Sequence, residues 1–222
     1  MKIKLLANSI KKIGLKKTIN FYLKKNRLRL FDLENKIIIK NENNLKETTI
    51  KVRGKNNFIE LNKKGKLRSL NIDIIGNNNE LIIEDGVFTQ NSKVDIKGDN
   101  NKIFIGKDTE LFGVIIWCNE DNGKILIGEN CLFSNNIEIR NTDSHPIYDM
   151  KTKKRINSSK DVIIKNKVWV GSGVRILKGV IIEEGNVIGQ NAIISKSILD
   201  KDSVIVGNGK IVRNEIEWKR EF

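Results

Sequence analysis

One histidine stands out among the residues that could do chemistry, because His145 is the only histidine in the chain. It lies in the polar run TDSHPIYD between Asp143 and Asp149, and Pro146 favours an extended backbone at the histidine. An imidazole titrates near neutral pH, so it can accept the proton of an attacking hydroxyl. Either aspartate could fix the tautomer of the ring and stabilise its charged form, and the sequence does not choose between them. We therefore expect His145 to act as a general base.

The same scarcity argues against a metal centre. A catalytic zinc ion is held by three protein side chains, usually histidine, cysteine or carboxylate. This chain has one histidine and two cysteines, Cys118 and Cys131, and both cysteines take positions typical of a buried core. Neither has the surroundings of an activated nucleophile. We expect no metal ion and no covalent acyl-enzyme.

Trp169 is the second candidate, and it follows the polar run after a basic stretch of chain. In the six-residue repeat described next it takes the last position of the unit IKNKVW, which faces outward, while Val168 fills the core. An outward indole can form the wall of a binding site and donate through its N–H group. The alternative is burial against a neighbouring subunit. Trp117 falls on an inward position and is predicted to be core, and Trp218 in the C-terminal tail receives no role.

These residues are carried by a scaffold with two internal periods. In the first half, Gly54, Gly76 and Gly98 recur with a 22-residue period, and each opens an Asn-rich corner: GKNN, GNNN and GDNN. From Ile164 the period falls to six, through units such as VGSGVR and ILKGVI to a last unit that starts at Val206. The first residue of a unit is aliphatic and the fifth is small or β-branched. Fixed periods of this kind predict a solenoid.

A six-residue unit suits one side of a triangular coil. Its first residue points into the core, and glycine supplies the positive φ angles of the turn that follows. Three units close a coil of about 18 residues, and coils stack about 4.8 Å apart through parallel ladders. The 22-residue period is then the same coil with an enlarged corner, the one that contains NN. Residues 142–160 break the register, and we predict a functional loop projecting from one corner.

The repeat resembles that of the hexapeptide-repeat acyltransferases, closely over residues 164–211 and more loosely over 37–141, with Asn186 as an exception. The resemblance implies an all-β fold, a left-handed parallel β-helix of about eight coils. The run NTDSHPIYD, followed by VWVGSGVRILKGV, is similar to the O-acetyltransferases of bacterial surface polysaccharides, in particular the sialic-acid capsule group. In that group a loop histidine is the base, a tryptophan lines the site, and the site lies between subunits of a homotrimer. The resemblance assigns these roles to His145 and Trp169.

Acetyl-CoA is the acetyl donor that the resemblance implies. The candidates to bind it, besides Trp169, are small residues of the turns that follow and two nearby lysines: Gly171, Ser172, Gly189, Ala192, Lys178 and Lys196. We expect the turns to leave backbone amides open and to leave space for the pantetheine arm, and the lysines to meet phosphates as point charges. The alternative is that these are ordinary turn residues and solvated lysines.

The chain is predicted to have three parts: a basic amphipathic helical segment over residues 1–31, the β-helix over 32–211, and a tail over 212–222. Residues 1–31 contain ten Lys or Arg and no acidic residue, so ten of the fourteen net positive charges lie there. This segment either caps the open ladder of the first coil or contacts anionic membrane lipids. The sequence leaves both open.

Composition excludes several classes of protein. No apolar run is long enough to span a membrane, no secretory signal is recognised, and two cysteines are too few for a disulfide framework. The aromatic platforms of nucleic-acid-binding proteins are missing, so we expect no nucleic-acid partner. We predict a cytoplasmic protein, with residues 1–31 as the part that would touch the inner membrane face.

The combined prediction is an O-acetyltransferase that moves an acetyl group from acetyl-CoA directly to a sugar hydroxyl of a surface polysaccharide or its precursor. N-acetylation of an amino sugar or nucleotide sugar would use the same base and the same groove, and it stays open. A non-catalytic solenoid scaffold is the alternative from another class, and it predicts no acetyl-CoA binding. The sequence does not determine the sugar or the hydroxyl.

Overall fold

The structure is a computed structural model that describes residues 19–23, 26–30, 32, 34–40, 44–61 and 63–221. Within these ranges the chain is all β, with no α-helix, and its strands form three sheets. The first sheet contains, in spatial order, β1 (Ile19–Leu23), β2 (Asn26–Leu30), β5 (Thr49–Arg53), β8 (Asn71–Ile75), β11 (Lys93–Lys97), β14 (Val114–Asn119), β17 (Ile137–Arg140), β20 (Arg175–Ile176) and β23 (Ile193–Ile194). The second contains β3 (Lys36–Ile39), β6 (Phe58–Leu61), β9 (Glu80–Ile83), β12 (Lys102–Ile105), β15 (Lys124–Ile127), β18 (Val162–Ile164) and β21 (Ile181–Ile182). The third contains β4 (Leu45–Lys46), β7 (Lys66–Arg68), β10 (Phe88–Gln90), β13 (Glu110–Phe112), β16 (Leu132–Phe133), β19 (Trp169–Val170), β22 (Val187–Ile188), β24 (Val204–Val206) and β25 (Lys210–Arg213).

From β2 to β24, consecutive strands belong to different sheets, so the chain winds around a triangular core. Seven turns have a strand on all three sides, and an eighth has β23, β24 and an isolated parallel bridge between Ile182 and Ile198. The strands pair in parallel except at the ends, where β1 and β25 pair antiparallel with their neighbours. The described part of the chain contains no helix long and apolar enough to cross a membrane.

The two periods of the sequence are the two step lengths of the coil. Strand β6 pairs with β9 at a 22-residue step, as Phe58 with Glu80, whereas β18 pairs with β21 at an 18-residue step, as Ile163 with Ile181. Inward side chains stack in columns, and the column Ile59, Leu81, Ile103 and Ile125 is fully buried. Burial of one such side chain contributes about 1.5–3 kcal/mol, so the columns account for most of the core.

The extra residues of the longer step lie at the corner between the first and second sheets. In the 22-residue coils this corner holds the Asn-rich turn, for example residues 76–79 between β8 and β9. The loop at residues 142–160 leaves from the same corner, between β17 and β18, and raises the step from 18 to 37 residues. The difference equals the length of the predicted insertion, so the projecting loop is confirmed.

The structure contradicts two predictions from the sequence: the helical segment, at residues 19–30, and the core position of Trp117. Residues 19–30 are not helical: β1 and β2 form an antiparallel hairpin, and β2 is one side of the first coil, paired with β5 of the second. The prediction for residues 1–18 lies outside the described residues. Trp117 is not core, because β14 buries Val114, Ile116 and Cys118 and turns Trp117 outward, where the Arg140 guanidinium lies 4.5 Å from the centre of its ring.

The repeat also shifts in the last coil. Ile188 pairs with Ile205, one residue short of an 18-residue step, so Ile205 is fully buried and Val206 is 36% exposed instead of inward. The exceptional Asn186 is fully buried and satisfied: its Nδ2 donates to the backbone oxygens of Glu183 at 2.9 Å and Asp200 at 2.7 Å. A buried amide with these bonds costs little, which explains its place in a position that otherwise takes a small or β-branched residue.

Candidate active site

The loop that carries His145 is organised around the side chain of Asn157, which is only 6% exposed. Its Nδ2 donates to Asp143 Oδ2 at 3.0 Å and to the backbone oxygen of His145 at 2.8 Å. Its Oδ1 accepts from the backbone N–H of Ile147 at 2.6 Å. Because these bonds hold the chain on both sides of His145, the backbone of the histidine is fixed while its side chain points to the surface.

Lys178 ties this arrangement to the solenoid. It lies in the turn between β20 and β21, one coil further on, and its Nζ donates to the Asp143 carboxylate and, at 2.9 Å, to the backbone oxygen of Asn157. The hydrogen bond from Lys178, with a further bond from Asn157, lowers the pKa of Asp143 against the opposing effect of burial. Lys178 therefore anchors the loop, and its geometry does not support the expected role at a cofactor phosphate.

Glu120 forms a second anchor at the same corner. Its Oε1 accepts from Thr142 Oγ1 and from Arg155 Nη2, both at 2.6 Å, and its Oε2 accepts from the backbone N–H of Ser159 at 3.4 Å. The hydrogen bond from Arg155 is the main cause that lowers the pKa of Glu120. One carboxylate thus joins the start and the end of the loop.

The tip of the loop is a short hairpin, with an antiparallel bridge between Tyr148 and Arg155. Asp149 closes its turn: Oδ1 accepts from the backbone N–H groups of Lys151 at 3.0 Å and Thr152 at 2.6 Å, and from Thr152 Oγ1 at 2.8 Å. These bonds, led by the backbone amide of Thr152, lower the pKa of Asp149. The carboxylate of Asp149 is therefore occupied by its own turn.

The imidazole of His145 is exposed, and no described residue forms a hydrogen bond or ion pair with its ring. Asp143 belongs to the anchor with Lys178 and Asn157, and Asp149 belongs to the turn. Within one chain neither aspartate orients the ring, so a role for either of them stays a prediction. No hydrogen bond or ion pair within the described residues therefore gives the ring a structural role.

Trp169 faces outward, as predicted. It starts β19 on the third sheet between Leu132 and Val187, and it is 38% exposed. The ring centre of Trp218 lies 6.0 Å away with the planes inclined at 46°. Trp218, which received no role from the sequence, thus joins the site. The signal that could have found it is a tryptophan in a highly charged tail.

Of the residues near Trp169 that the sequence predicts to bind acetyl-CoA, only some are exposed. The backbone N–H of Gly171 donates to Ile188 O at 2.8 Å and that of Gly189 to Ile205 O at 2.7 Å, so neither amide is open for a pantetheine arm. Ala192 is fully buried in the core. The turns lend these two amides to the ladder between coils, so the expected open amides are not found. A role of Gly171, Gly189 and Ala192 in binding the donor stays a prediction. Two further candidates, Ser172 and Lys196, lie exposed at the surface.

Both cysteines are fully buried. Burial raises the pKa of Cys118 to about 12 and the pKa of Cys131 to about 11. A thiol with such a pKa holds its proton at neutral pH and is a poor nucleophile. In the described ranges no group of three or more histidine, cysteine or acidic side chains is arranged to hold a metal ion.

His145 and Trp169 do not meet within one chain. The loop with His145 leaves the corner between the first and second sheets, and Trp169 lies on the third sheet, which is the side opposite that corner. A site that uses both residues therefore needs the imidazole of one chain and the indole of another.

No family model matches the sequence. Two curated proteins match it locally, both polysialic acid O-acetyltransferases. The protein from Neisseria meningitidis is 55% identical over 51 residues, which is 23% of this chain and 24% of that protein. The protein from Escherichia coli is 48% identical over 50 residues, which is 22% of this chain and 16% of that protein. These alignments thus span less than a quarter of each curated relative.

Solved structures extend the similarity over most of the chain. The polySia-specific acetyltransferase NeuO superposes with a TM-score of 0.73 at 30% identity, covering 84% of this chain and 83% of that one. The polysialic acid O-acetyltransferase OatWY superposes with a TM-score of 0.70 at 33% identity, covering 90% of this chain and 93% of that one. The predicted fold class, a left-handed parallel β-helix, is confirmed. With its loop histidine, its outward tryptophan and this similarity along the solenoid, the chain belongs to the polysialic acid O-acetyltransferase family of β-helix acyltransferases.

Proposed function

We propose that this protein transfers an acetyl group from acetyl-CoA to a sugar hydroxyl of an acidic capsular polysaccharide, with His145 as the general base. The observation that carries the proposal is the loop itself. Asn157, Lys178 and Glu120 hold its backbone rigidly, yet the imidazole it presents has no structural partner among the described residues. Family membership supports the reaction type, and the names of the relatives support polysialic acid as the acceptor to test first.

The proposed reaction is one direct transfer. His145 takes the proton of the acceptor hydroxyl as the hydroxyl oxygen attacks the thioester carbonyl carbon. The carbon–sulfur bond then breaks, and the imidazolium returns the proton to the departing thiolate of CoA. Both thiols of the chain are buried and protonated, which supports a route without an acyl-enzyme.

The donor is proposed to lie against the third sheet, beside the indole of Trp169. This face offers a half-open aromatic surface of the kind that packs against the apolar part of a cofactor. Of the other candidates, Ser172 and Lys196 keep the exposure that such a role requires. Acetyl-CoA would supply the acetyl group and the thiolate leaving group.

We propose a homotrimer with each site between two neighbouring chains. The need to combine His145 of one chain with Trp169 of the next supports it. So does the loop, whose large apolar side chains lie exposed: Ile147, Tyr148, Met150 and Ile156. An apolar surface of this kind on one loop is typical of an interface between subunits.

The cytoplasm is the proposed location, and the basic residues of 1–31 are proposed to contact anionic lipids at the inner face of the membrane. The concentration of ten positive charges there supports this location. Sedimentation with vesicles of phosphatidylglycerol, compared with neutral vesicles, tests it. Equal binding to both kinds of vesicle would contradict an electrostatic contact.

The decisive experiment measures transfer of radiolabelled acetyl from acetyl-CoA to oligosialic acid. We expect His145→Ala to lower kcat by a factor of about 100 to 10,000 and to leave the melting temperature unchanged, because the ring is exposed and forms no hydrogen bond or ion pair with the described residues. Retained turnover in this variant would overturn the role of the histidine. A thermal-shift titration with CoA separates the enzyme from a non-catalytic scaffold, since a ligand of the native state raises the melting temperature.

A further inference from the structure

The C-terminal tail, residues 214–221, runs back along the corner between the second and third sheets. The backbone N–H of Ile216 donates to Asp202 O at 2.9 Å, in the turn before β24. Further along, Arg220 Nη1 donates to Glu110 Oε1 and Arg220 Nη2 to Asp108 O, both at 2.7 Å, beside β13. The tail thus crosses from the last coil to a coil well inside the solenoid, and it is held at both ends.

Trp218 is the buried part of this tail. It is 8% exposed, although its neighbours Glu217 and Lys219 are exposed. Its Nε1 donates to the backbone oxygen of Lys167 at 2.9 Å, and its ring packs against Trp169. One side chain therefore holds both the turn that leads into Trp169 and the indole of Trp169 itself.

An indole on the open side of a sheet has more than one staggered rotamer available. Contact with a second ring removes the rotamers that would move the indole into the tail. A binding wall that is already in place loses less conformational entropy when the ligand arrives. By restricting the rotamers of Trp169, the tail therefore lowers the conformational entropy that this indole loses when a ligand binds.

We infer that Trp218 is a positioning residue for the donor side of the site: it fixes the indole of Trp169 in the orientation that packs against acetyl-CoA, and Arg220 keeps Trp218 in place. The inference rests on the proposed function, in which Trp169 forms the donor wall. A tail that merely covers the corner of the solenoid would stabilise the fold and leave donor binding unchanged.

The test uses full-length Trp218→Ala, Trp218→Phe and Arg220→Gln, with Lys219→Ala as the matched control in the same tail. Lys219 is exposed, and its ammonium lies 3.9 Å from Glu217. We expect Trp218→Ala to raise the KM for acetyl-CoA about three- to tenfold, the value of one aromatic contact, and to change kcat and the acceptor KM less than about twofold. Trp218→Phe keeps a ring beside Trp169 and should recover most of the donor affinity. Arg220→Gln should raise the KM in the same direction, and it replaces Trp218→Ala if that variant does not fold.

Near-ultraviolet circular dichroism provides a readout that does not depend on activity. The signal of the tryptophan pair should be lost equally in Trp169→Phe and Trp218→Phe and should persist in Lys219→Ala. If Trp218→Ala and Arg220→Gln lower the melting temperature and leave the KM for acetyl-CoA unchanged, the inference is overturned and the tail is structural. If the wild-type protein transfers no acetyl group, the proposed function fails instead, and the dichroism still decides whether Trp218 fixes Trp169.

Discussion

Asn157 donates a hydrogen bond from Nδ2 to the backbone oxygen of His145 at 2.8 Å, and the same amide group holds Asp143 at 3.0 Å. We predict that Asn157→Ala lowers kcat about tenfold or more, because the imidazole loses its fixed position. The KM for acetyl-CoA should stay unchanged, and the free energy of unfolding should fall by about 1–3 kcal/mol as partners are left unpaired. Steady-state kinetics and urea unfolding measure both.

The neighbouring Ser158→Ala is the control for this variant, since Ser158 is exposed and has no side-chain hydrogen bond to the described residues. Asn157→Asp is the sharper probe, because it keeps an oxygen for the N–H of Ile147 but sets a second carboxylate beside Asp143. It should lose at least as much turnover as Asn157→Ala. Wild-type kcat in both variants would show that the position of His145 does not depend on Asn157.

Glu120 should make the stability of the loop depend on pH. Its pKa is lowered, mainly by Arg155, so its contribution is fully present above the unfolded value of about 4.3 and is lost as the pH falls through the lower folded pKa. We predict that Glu120→Gln costs roughly 1 kcal/mol at pH 7 and that the difference from wild type shrinks below about pH 4. Urea unfolding at pH 7 and pH 3 measures it. The exposed Glu129→Gln is the control and should show no such difference, and a deficit in Glu120→Gln that stays constant with pH would contradict the assignment.

The burial of both thiols predicts direct acetyl transfer without an acetylated cysteine. With pKa values raised to about 12 and about 11, Cys118 and Cys131 should not react with iodoacetamide in the native protein at pH 8 and should react on unfolding. The double variant Cys118→Ala with Cys131→Ala should keep wild-type kcat. Mass spectrometry after mixing with acetyl-CoA alone should show no acetylated protein. A stoichiometric acetyl adduct on either cysteine would replace direct transfer by a two-step route.

The repeat made the scaffold and the loop predictable, because each period leaves a mark in the sequence. Glycine and asparagine at 22-residue spacing identify one corner, and the insertion at 142–160 follows from a break in register that the 37-residue step confirms. The helical segment expected over 1–31 is wrong at residues 19–30, because β2 is a side of the first coil that pairs with β5 and with β1, and tertiary pairing overrides local spacing. The predicted core position of Trp117 is wrong because the six-residue repeat does not hold in the 22-residue coils.

The sequence predicts which residues are candidates for the site, but it does not predict which side chains contact one another. His145 and Trp169 follow from their rarity and position. The bonds of Asn157 depend on a chain reversal that joins residues on both arms of the loop, and the contact of Trp218 joins the tail to β19, which lies several strands earlier in the chain. The sequence predicts open amides at Gly171 and Gly189, but each amide donates to the ladder between coils. Contacts of this kind depend on which residues become neighbours when the coils stack.

The separation of His145 and Trp169 predicts complementation between inactive chains. Each site of the proposed trimer takes the histidine from one chain and the tryptophan from its neighbour, so at acetyl-CoA concentrations well below the raised KM of Trp169→Ala both His145→Ala and Trp169→Ala should be weakly active alone. Mixed and reassembled in equal amounts, they should recover about a quarter of wild-type activity, because a random pair of neighbours contains both native residues with that frequency. Light scattering should show the trimer before and after mixing. If the mixture stays inactive although mixed trimers form, both residues serve a site within one chain, and the shared site is wrong.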